Sequence, residues 1–167
     1  MAEDNAASHA HTPLLSITAE DPASADAQVL IDALSDTLAG ITGDSGRSGF
    51  DPADVRDPRS LFVVARAQDG TPVGCGAYRP LEAGIAELKR MYARPDTRGV
   101  GDAVLDVLET SAAAAGYEAL WLETRRVNLR AVRFYVRRGY REIPNFGRYA
   151  DLPEAICLAR ALAPLAP

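Results

Sequence analysis

The residues best suited to chemistry in this chain form a glycine-containing segment that joins an apolar run to an amphipathic stretch. The segment consists of Arg98, Gly99, Val100, Gly101, Asp102 and Ala103. The apolar run at 85–93 predicts a strand, and the periodic apolar residues at 100–115 predict a helix. A helix that begins at such a turn presents free main-chain N–H groups and the positive end of its dipole. Because glycine also lets an anion approach the main chain, the sequence predicts a phosphate-binding turn.

A second candidate segment, at 128–140, places a tyrosine inside another predicted helix. Asn128 is a preferred N-cap residue, Gly139 ends the helix, and Tyr135 lies about two turns past the cap. Tyrosine has a pKa near 10, so at neutral pH it can donate a proton to a thiolate whose pKa is about 8.5. The spacing alone favours a different interpretation, in which Tyr135 is a core aromatic.

Together the two segments resemble the GNAT superfamily of acetyl-coenzyme A-dependent N-acetyltransferases. The phosphate turn of that family reads Arg/Gln-x-x-Gly-x-Gly/Ala, which Arg98, Gly101 and Ala103 match. The later family motif reads Asn-x-x-Ala-x-x-x-Tyr-x-x-x-Gly-Phe. It is matched in register, with tyrosine for the final phenylalanine, by Asn128, Ala131, Tyr135, Gly139 and Tyr140. The resemblance covers roughly residues 61–162.

The resemblance implies that acetyl-coenzyme A (acetyl-CoA) is the cosubstrate and that a primary amine of a small molecule attacks it directly in a ternary complex. It implies that Tyr135 is the general acid and that a main-chain N–H near Met91 binds the thioester carbonyl. Asp102 should repel a diphosphate unless its side chain points away. The implied cosubstrate-binding residues are Met91, Tyr92, Ala93, Arg98, Gly99, Val100, Gly101, Asp102, Ala103, Asn128, Ala131 and Tyr135.

Two glutamates are candidates for contact with the acceptor amine. The resemblance implies that Glu87 is the general base, often through water, although a solvated strand carboxylate fits its position equally well. Glu123, at the end of another predicted strand, is the reserve candidate for the base or for holding the substrate ammonium. Strand alternation predicts two faces: Glu87, Lys89 and Met91 on one, and Leu88, Arg90 and Tyr92 on the other.

Length and composition predict one globular domain at 13–163, with a disordered tail at 1–12 and a short tail at 164–167. The net charge of −5 argues against nucleic-acid binding. No apolar run is long enough to span a membrane and the first residues are not those of a secretory signal, so the expected location is cytoplasmic. A homodimer is expected only because members of the family that the chain resembles often form dimers.

The side-chain inventory excludes other chemistries. The two histidines, His9 and His11, both lie in the predicted tail, which argues against a Ser-His-Asp hydrolase and a histidine-rich zinc site. No metal is therefore expected. Cys75 and Cys157 are the two cysteines, and each lies in an apolar context typical of a buried free thiol.

The order of predicted elements is a strand, a helical region, three strands, a helix, a strand, a helix and two strands. It indicates an α+β (mixed α/β) fold. The family resemblance implies a central, mostly antiparallel, twisted sheet of six to seven strands with one splayed parallel pair, flanked by about four helices. Two alternatives remain at this point. One is a Rossmann-type dinucleotide-binding protein, and the other is a non-catalytic acetyl-CoA sensor or interaction module on the same fold.

Overall fold

The computed structural model of the protein describes residues 14–164. The predicted tail at 1–12 and the residues at 165–167 of the second tail lie outside this range. The helices and strands in chain order are β1 (Ser16–Ala19), α1 (Ala25–Thr42), β2 (Leu61–Arg66), β3 (Pro72–Glu82), β4 (Ile85–Ala93), α2 (Val100–Ala114), β5 (Ala119–Arg125), α3 (Leu129–Arg137), β6 (Arg141–Ile143) and β7 (Ala155–Ala161). No helix within 14–164 is long and apolar enough to cross a membrane.

All seven strands form one sheet in the order β1-β2-β3-β4-β5-β7-β6. The neighbours β4 and β5 run parallel, and the other pairs are antiparallel. The predicted mixed fold with one parallel pair is confirmed. The described residues form three α-helices rather than about four, because the proline-containing stretch after α1 makes only short 3-10 turns at Arg47–Gly49 and Pro52–Val55. The Rossmann alternative is wrong, since that fold needs a mostly parallel sheet.

The two faces of the sheet carry different helices. On β2, Val63 and Ala65 pack in the cluster that includes α2, whereas Phe62 and Val64 pack in the cluster that includes α1. Successive strand residues point to opposite faces, so α1 and α2 cover opposite sides of the sheet. The side chain of Tyr135 on α3 belongs to the α2 cluster.

A bulge interrupts β4. Cys75 of β3 pairs with Tyr92 and Ala77 pairs with Lys89, so Gly76 alone faces the two residues Arg90 and Met91. Arg90 has φ of 53°, in the left-handed region that residues other than glycine rarely adopt.

The predicted alternation along β4 is wrong beyond Lys89 because the bulge inserts one residue. Met91 packs with the α2 cluster, away from the face of Glu87 and Lys89. Arg90 turns instead toward α1, where its guanidinium donates to the main-chain oxygen of Gly46 at 2.8 Å. The bulge therefore ties β4 to the loop that follows α1.

A close approach between β3 and the start of α2 requires glycine at position 74. A Cβ on Gly74 would lie 2.5 Å from Val100 Cγ1 and 2.9 Å from the main-chain oxygen of Tyr92. We expect Gly74→Ala to lower the free energy of unfolding by about 1–3 kcal/mol, the usual cost of overpacking. Urea denaturation measures this effect. In the matched variant Gly40→Ala, the new methyl meets nothing within 4 Å inside α1. The free energy of unfolding of that variant should rise by up to about 1 kcal/mol. An equal decrease in the free energy of unfolding of both variants would contradict the packing argument.

Candidate active site

The parallel strands β4 and β5 separate soon after they begin. They pair at Ile85 with Ala119, Ala86 with Leu120, and Glu87 with Trp121, and no further pairing follows among the described residues. Past this point β4 pairs with β3 only. The other edge of β4 therefore presents main-chain N–H and C=O groups that have no strand partner, and a cleft opens between the two strands.

Two adjoining cavities occupy the cleft. The α3 cavity, of about 160 Å³, is lined by Asn128, Ala131 and Tyr135 at its α3 end. The loop cavity, of about 140 Å³, is lined by α1, the loop after α1 and the segment at 148–152. The two cavities form one continuous cleft, because they share five lining residues. These are Leu38, Gly46, Lys89, Glu123 and Thr124.

The predicted phosphate turn is the first turn of α2. Its N-cap is Gly99, with φ of 73° and no capping side chain. The first helical hydrogen bond runs from the N–H of Ala103 to the oxygen of Gly99 at 3.0 Å. The N–H groups of Val100, Gly101 and Asp102 precede that bond and have no helical acceptor. These donors, together with the helix dipole, form a site that suits an anion.

Glycine at position 101 is required by neither packing nor conformation. A Cβ there would lie 3.5 Å from the ring of Phe134 and 3.9 Å from Ala93 Cβ, which are ordinary contacts. Its φ is not in the positive range, unlike that of Gly99. Glycine inside a helix costs about 0.5–1 kcal/mol relative to alanine. A ligand that approaches the main chain closely explains this glycine, so the turn fits a diphosphate.

Charges around this turn also suit a diphosphate. The carboxylate of Asp102 forms ion pairs with Arg137 at 3.2 Å and with Arg138 at 3.4 Å, so its charge is compensated by the end of α3. Arg98 and, on α3, Arg130 and Arg133 are exposed. None of these three forms an ion pair within residues 14–164. They are cations available to phosphate groups.

Tyr135 lines the α3 cavity from the buried side of α3. The helix begins at Asn128, whose Oδ1 accepts from the N–H of Ala131 at 3.3 Å. The ring of Tyr135 packs edge-on against Phe134 and Tyr140, with centroids 5.1 and 5.5 Å away. Its hydroxyl has no hydrogen-bond partner in the part of the chain that the structure describes. Burial raises the pKa of Tyr135, so the phenol keeps its proton at neutral pH.

Glu87 lies beneath the cleft rather than in it. The residue is 2% exposed and lines neither cavity. Its Oε2 accepts from Arg79 Nε at 3.1 Å and Nη2 at 3.0 Å, and its Oε1 accepts from the Tyr149 hydroxyl at 2.9 Å. Lys89 Nζ lies 3.6 Å from Oε1. Both carboxylate oxygens are thus already occupied by donors.

Lys89 and Tyr149 connect Glu87 to the cleft. Lys89 Nζ donates to the Tyr149 hydroxyl at 3.0 Å, and both residues line the loop cavity. Burial lowers the pKa of Lys89, whereas burial and the charge of Glu87 raise the pKa of Tyr149. Neither residue was predicted from the sequence to belong to the site. Lys89 shares the face of Glu87 by alternation, which was an available signal, but nothing near Tyr149 distinguishes it.

Glu123 is the carboxylate that faces the cleft. It lines both cavities with a side chain that is 17% exposed. Its nearest cation is Arg125 Nε, at 3.8 Å, and its carboxylate accepts no hydrogen bond within residues 14–164. Burial raises the pKa of Glu123. A carboxylate with this environment can accept a proton from a bound ammonium or hold it by charge.

The described residues contain no group of three or more His, Cys, Asp and Glu side chains that could hold a metal. Both Cys75 and Cys157 are buried free thiols, as the sequence predicts. The site therefore consists of main-chain donors, two tyrosines and carboxylates with their cationic neighbours.

Comparison with known proteins agrees with this geometry. Residues 30–140 match the sequence model of the Acetyltransferase (GNAT) family. An IAA acetyltransferase from Azospirillum brasilense is 32% identical over 153 residues, which cover 90% of this chain and 99% of that protein. The chain belongs to the GNAT acetyltransferase family, and the resemblance found in the two sequence motifs is confirmed.

Solved structures carry the same fold. A provisionally assigned acyl-CoA N-acyltransferase from Klebsiella pneumoniae superposes with a TM-score of 0.76 at 28% identity, covering 90% of this chain and 99% of the other. The PaiA N-acetyltransferase from Thermoplasma acidophilum, solved with coenzyme A, gives a TM-score of 0.67 at 16% identity, covering 89% and 99%. At that identity the likeness concerns the fold alone.

Proposed function

We propose that this protein is an N-acetyltransferase that moves the acetyl group of acetyl-CoA directly to a primary amine of a small molecule. The observation that carries the proposal is the continuous cleft between β4 and β5. The Tyr135 hydroxyl, which has no hydrogen-bond partner among the described residues, lies at one end of this cleft, and the Glu123 carboxylate lies on its shared wall. A proton donor and a proton acceptor that line one space are what acyl transfer between a thiol and an amine requires.

The donor would bind on the α2 and α3 side of the cleft. The N–H groups of Val100, Gly101 and Asp102 would hold the diphosphate, with charge added by Arg98. The free edge of β4 at Met91, Tyr92 and Ala93 would pair with the amides of the pantetheine arm as an added strand does. Asn128 and Ala131 line the same cavity and would contact the arm near its thioester end.

The reaction would then need two protons removed from nitrogen and one supplied to sulfur. Glu123 accepts a proton from the ammonium, and the neutral amine attacks the thioester carbonyl. The C–N bond forms, the C–S bond breaks, and Tyr135 donates its proton to the departing sulfur. The second proton on nitrogen passes to the tyrosinate as the intermediate collapses, which restores Tyr135. A main-chain N–H near Met91 stabilises the negative charge that develops on the carbonyl oxygen.

Glu87 has a supporting role in this proposal. Proton acceptance by Glu87 itself would disturb its bonds to Arg79 and Tyr149. We therefore assign the proton-accepting role to Glu123 and the orientation of Tyr149 and Lys89 to Glu87. A loop cavity of about 140 Å³ favours a small acceptor.

Release of free thiol from acetyl-CoA, measured over a panel of small amines, tests the proposed function. We expect thiol release that depends on an amine and yields the N-acetylated amine. We expect no acetyl group on the protein when the amine is left out, since transfer is direct. Tight acetyl-CoA binding with no turnover of any amine would instead support the sensor alternative.

The phosphate turn makes its own prediction. Gly101→Ala should stabilise the fold slightly, by up to about 1 kcal/mol, because alanine is the better helix former. The same change should weaken coenzyme A binding about tenfold or more by blocking charge-assisted hydrogen bonds to the main chain. Calorimetric titration measures the affinity. Gly40→Ala is the control, since it should give the same gain in stability at a position that lines neither cavity. Unchanged affinity of Gly101→Ala for coenzyme A would refute the phosphate assignment.

A further inference from the structure

Two cationic side chains, Lys89 and Arg148, line the loop cavity close to one another. We infer that the acceptor is a zwitterion: besides the amine it carries an anionic group of carboxylate or phosphate type, bound between Lys89 and Arg148. This inference rests on the proposed function, because it names the substrate class of that same cleft.

Arg148 is the first of the two cations. It lines the loop cavity, and its Nη1 donates to the main-chain oxygen of Ser48 at 3.1 Å. No carboxylate lies within 4.0 Å of its guanidinium in the described part of the chain. Arg148 is exposed, and its hydrogen bond to Ser48 leaves most of its five N–H donors free.

Lys89 is the second cation. Its side chain is 12% exposed, and its nearest carboxylate oxygen, on Glu87, is 3.6 Å away. That carboxylate is already bound through two nitrogens by Arg79. Arg79 is also paired with Asp54, so the charge of Lys89 is balanced. Its ammonium has one hydrogen-bond acceptor among the described residues, the Tyr149 hydroxyl, and can donate further N–H bonds to a ligand in the cavity.

The two cations converge on one point. A Cβ added to Gly49 would lie 3.6 Å from Lys89 Nζ and 3.8 Å from Arg148 Nη1. Glycine at this position leaves the space between the cations open, where any other side chain would occupy it. An anionic group placed there would receive charge-assisted hydrogen bonds from both sides.

The remaining charges of the cavity complete the pattern. Arg125 is compensated by Glu154 at 2.8 Å and by Asp44 at 3.4 Å, so it is not available to a ligand in the same way. Glu123 faces the same cavity and accepts no hydrogen bond from the described residues. The cavity thus offers one carboxylate for an ammonium and one cation pair for an anion.

The test compares amines that differ in the anionic group alone. The acids are glycine, β-alanine and γ-aminobutyrate, the plain amines are alkylamines of matching length, and aminoalkyl phosphonates form a second arm. We expect kcat/KM for the best acid or phosphonate to exceed that of its plain amine about tenfold or more. The two arms distinguish a carboxylate site from a phosphate site.

Arg148→Gln should bring the acid-to-amine ratio of kcat/KM close to one. Arg141→Gln is the matched control, since Arg141 is exposed on β6 and forms no ion pair within residues 14–164. That control should keep the wild-type ratio. Amine turnover without any preference for acids, or an Arg148→Gln ratio equal to the wild-type value, would contradict the inference and leave the proposed function standing.

A binding measurement separates this inference from catalysis. Trp121 is the single tryptophan, and its ring lies 5.2 Å from that of Phe146, which packs against Tyr149 in the cavity wall. Titration of glutarate and of inorganic phosphate, followed by tryptophan fluorescence, should show binding that weakens about tenfold in Arg148→Gln. Equal binding in both proteins would overturn the anion site, whatever the outcome of the turnover assay.

Discussion

Tyr135→Phe is expected to keep the affinity for acetyl-CoA and to lower kcat by about 10²-fold or more, the usual loss when a general acid is removed. The hydroxyl has no hydrogen-bond partner among residues 14–164, so its removal leaves no buried group unsatisfied. The ring contacts with Phe134 and Tyr140 remain available to phenylalanine. The variant should therefore fold with unchanged stability, and the loss should be confined to turnover.

The control for this variant is Tyr117→Phe. The Tyr117 hydroxyl donates to the main-chain oxygen of Arg59 at 2.8 Å, and the residue lines neither cavity. Its loss should reduce the free energy of unfolding by about 1 kcal/mol with no effect on kcat. If Tyr135→Phe turned over acetyl-CoA at the wild-type rate, Tyr135 would have no part in proton transfer.

Glu123→Gln is expected to lower kcat/KM by about 10²–10⁴-fold, the range for loss of a general base. Burial raises the pKa of Glu123, and a base acts only when it is deprotonated. Activity of the wild-type enzyme should therefore fall as the pH decreases through this raised pKa. In Glu123→Gln that acid limb should disappear, because the amide does not titrate there. A pH–rate profile measured on both proteins checks the prediction.

Glu118→Gln is the matched control for the carboxylate. Glu118 precedes β5, is exposed, and lines neither cavity. Its replacement should leave the profile unchanged. An acid limb that persists in Glu123→Gln at the wild-type position would show that another group, such as Glu87 through Tyr149, removes the proton.

The fold was predictable from local patterns. Apolar periodicity predicted the helices and strands. The turn before α2 and the Asn128 motif were also predictable, because each is a short run of neighbouring residues. The predicted helix at 100–115 lies between two predicted strands, and a crossover helix of this kind places its two strands parallel. The resemblance implied about four helices. The described residues form three α-helices, and the prolines before β2 limit that stretch to short turns.

Details that depend on distant partners were not predictable. Asp102 was an unfavourable neighbour for a phosphate, and its partners Arg137 and Arg138 lie on a different helix. The β4 bulge depends on Gly76 of the facing strand, where a Cβ would lie 2.5 Å from Met91 Sδ. Glycine at 74 and 76 inside a strand does indicate close packing or a bulge, but the sequence does not show which residues it faces, and the Asp102 ion pairs leave no local sign.

The choice of Glu87 or Glu123 as the proton acceptor also depends on distant partners. Both lie in strands with similar neighbours, so the sequence could not separate Glu87 from Glu123. Burial and pairing separate them, since Glu87 is enclosed by Arg79, Lys89 and Tyr149 and Glu123 faces the cleft. The pairing of Lys89 with Arg148 was equally unpredictable, because the two residues are far apart in the sequence and become neighbours only in the folded protein.

A crystal structure of the protein with coenzyme A tests most directly whether this cleft is where acetyl transfer occurs. We predict that the diphosphate binds the N–H groups of Val100, Gly101 and Asp102, and that the sulfur lies beside the Tyr135 hydroxyl in the α3 cavity. A diphosphate bound away from the first turn of α2, or a sulfur outside the cleft between β4 and β5, would contradict the proposed reaction.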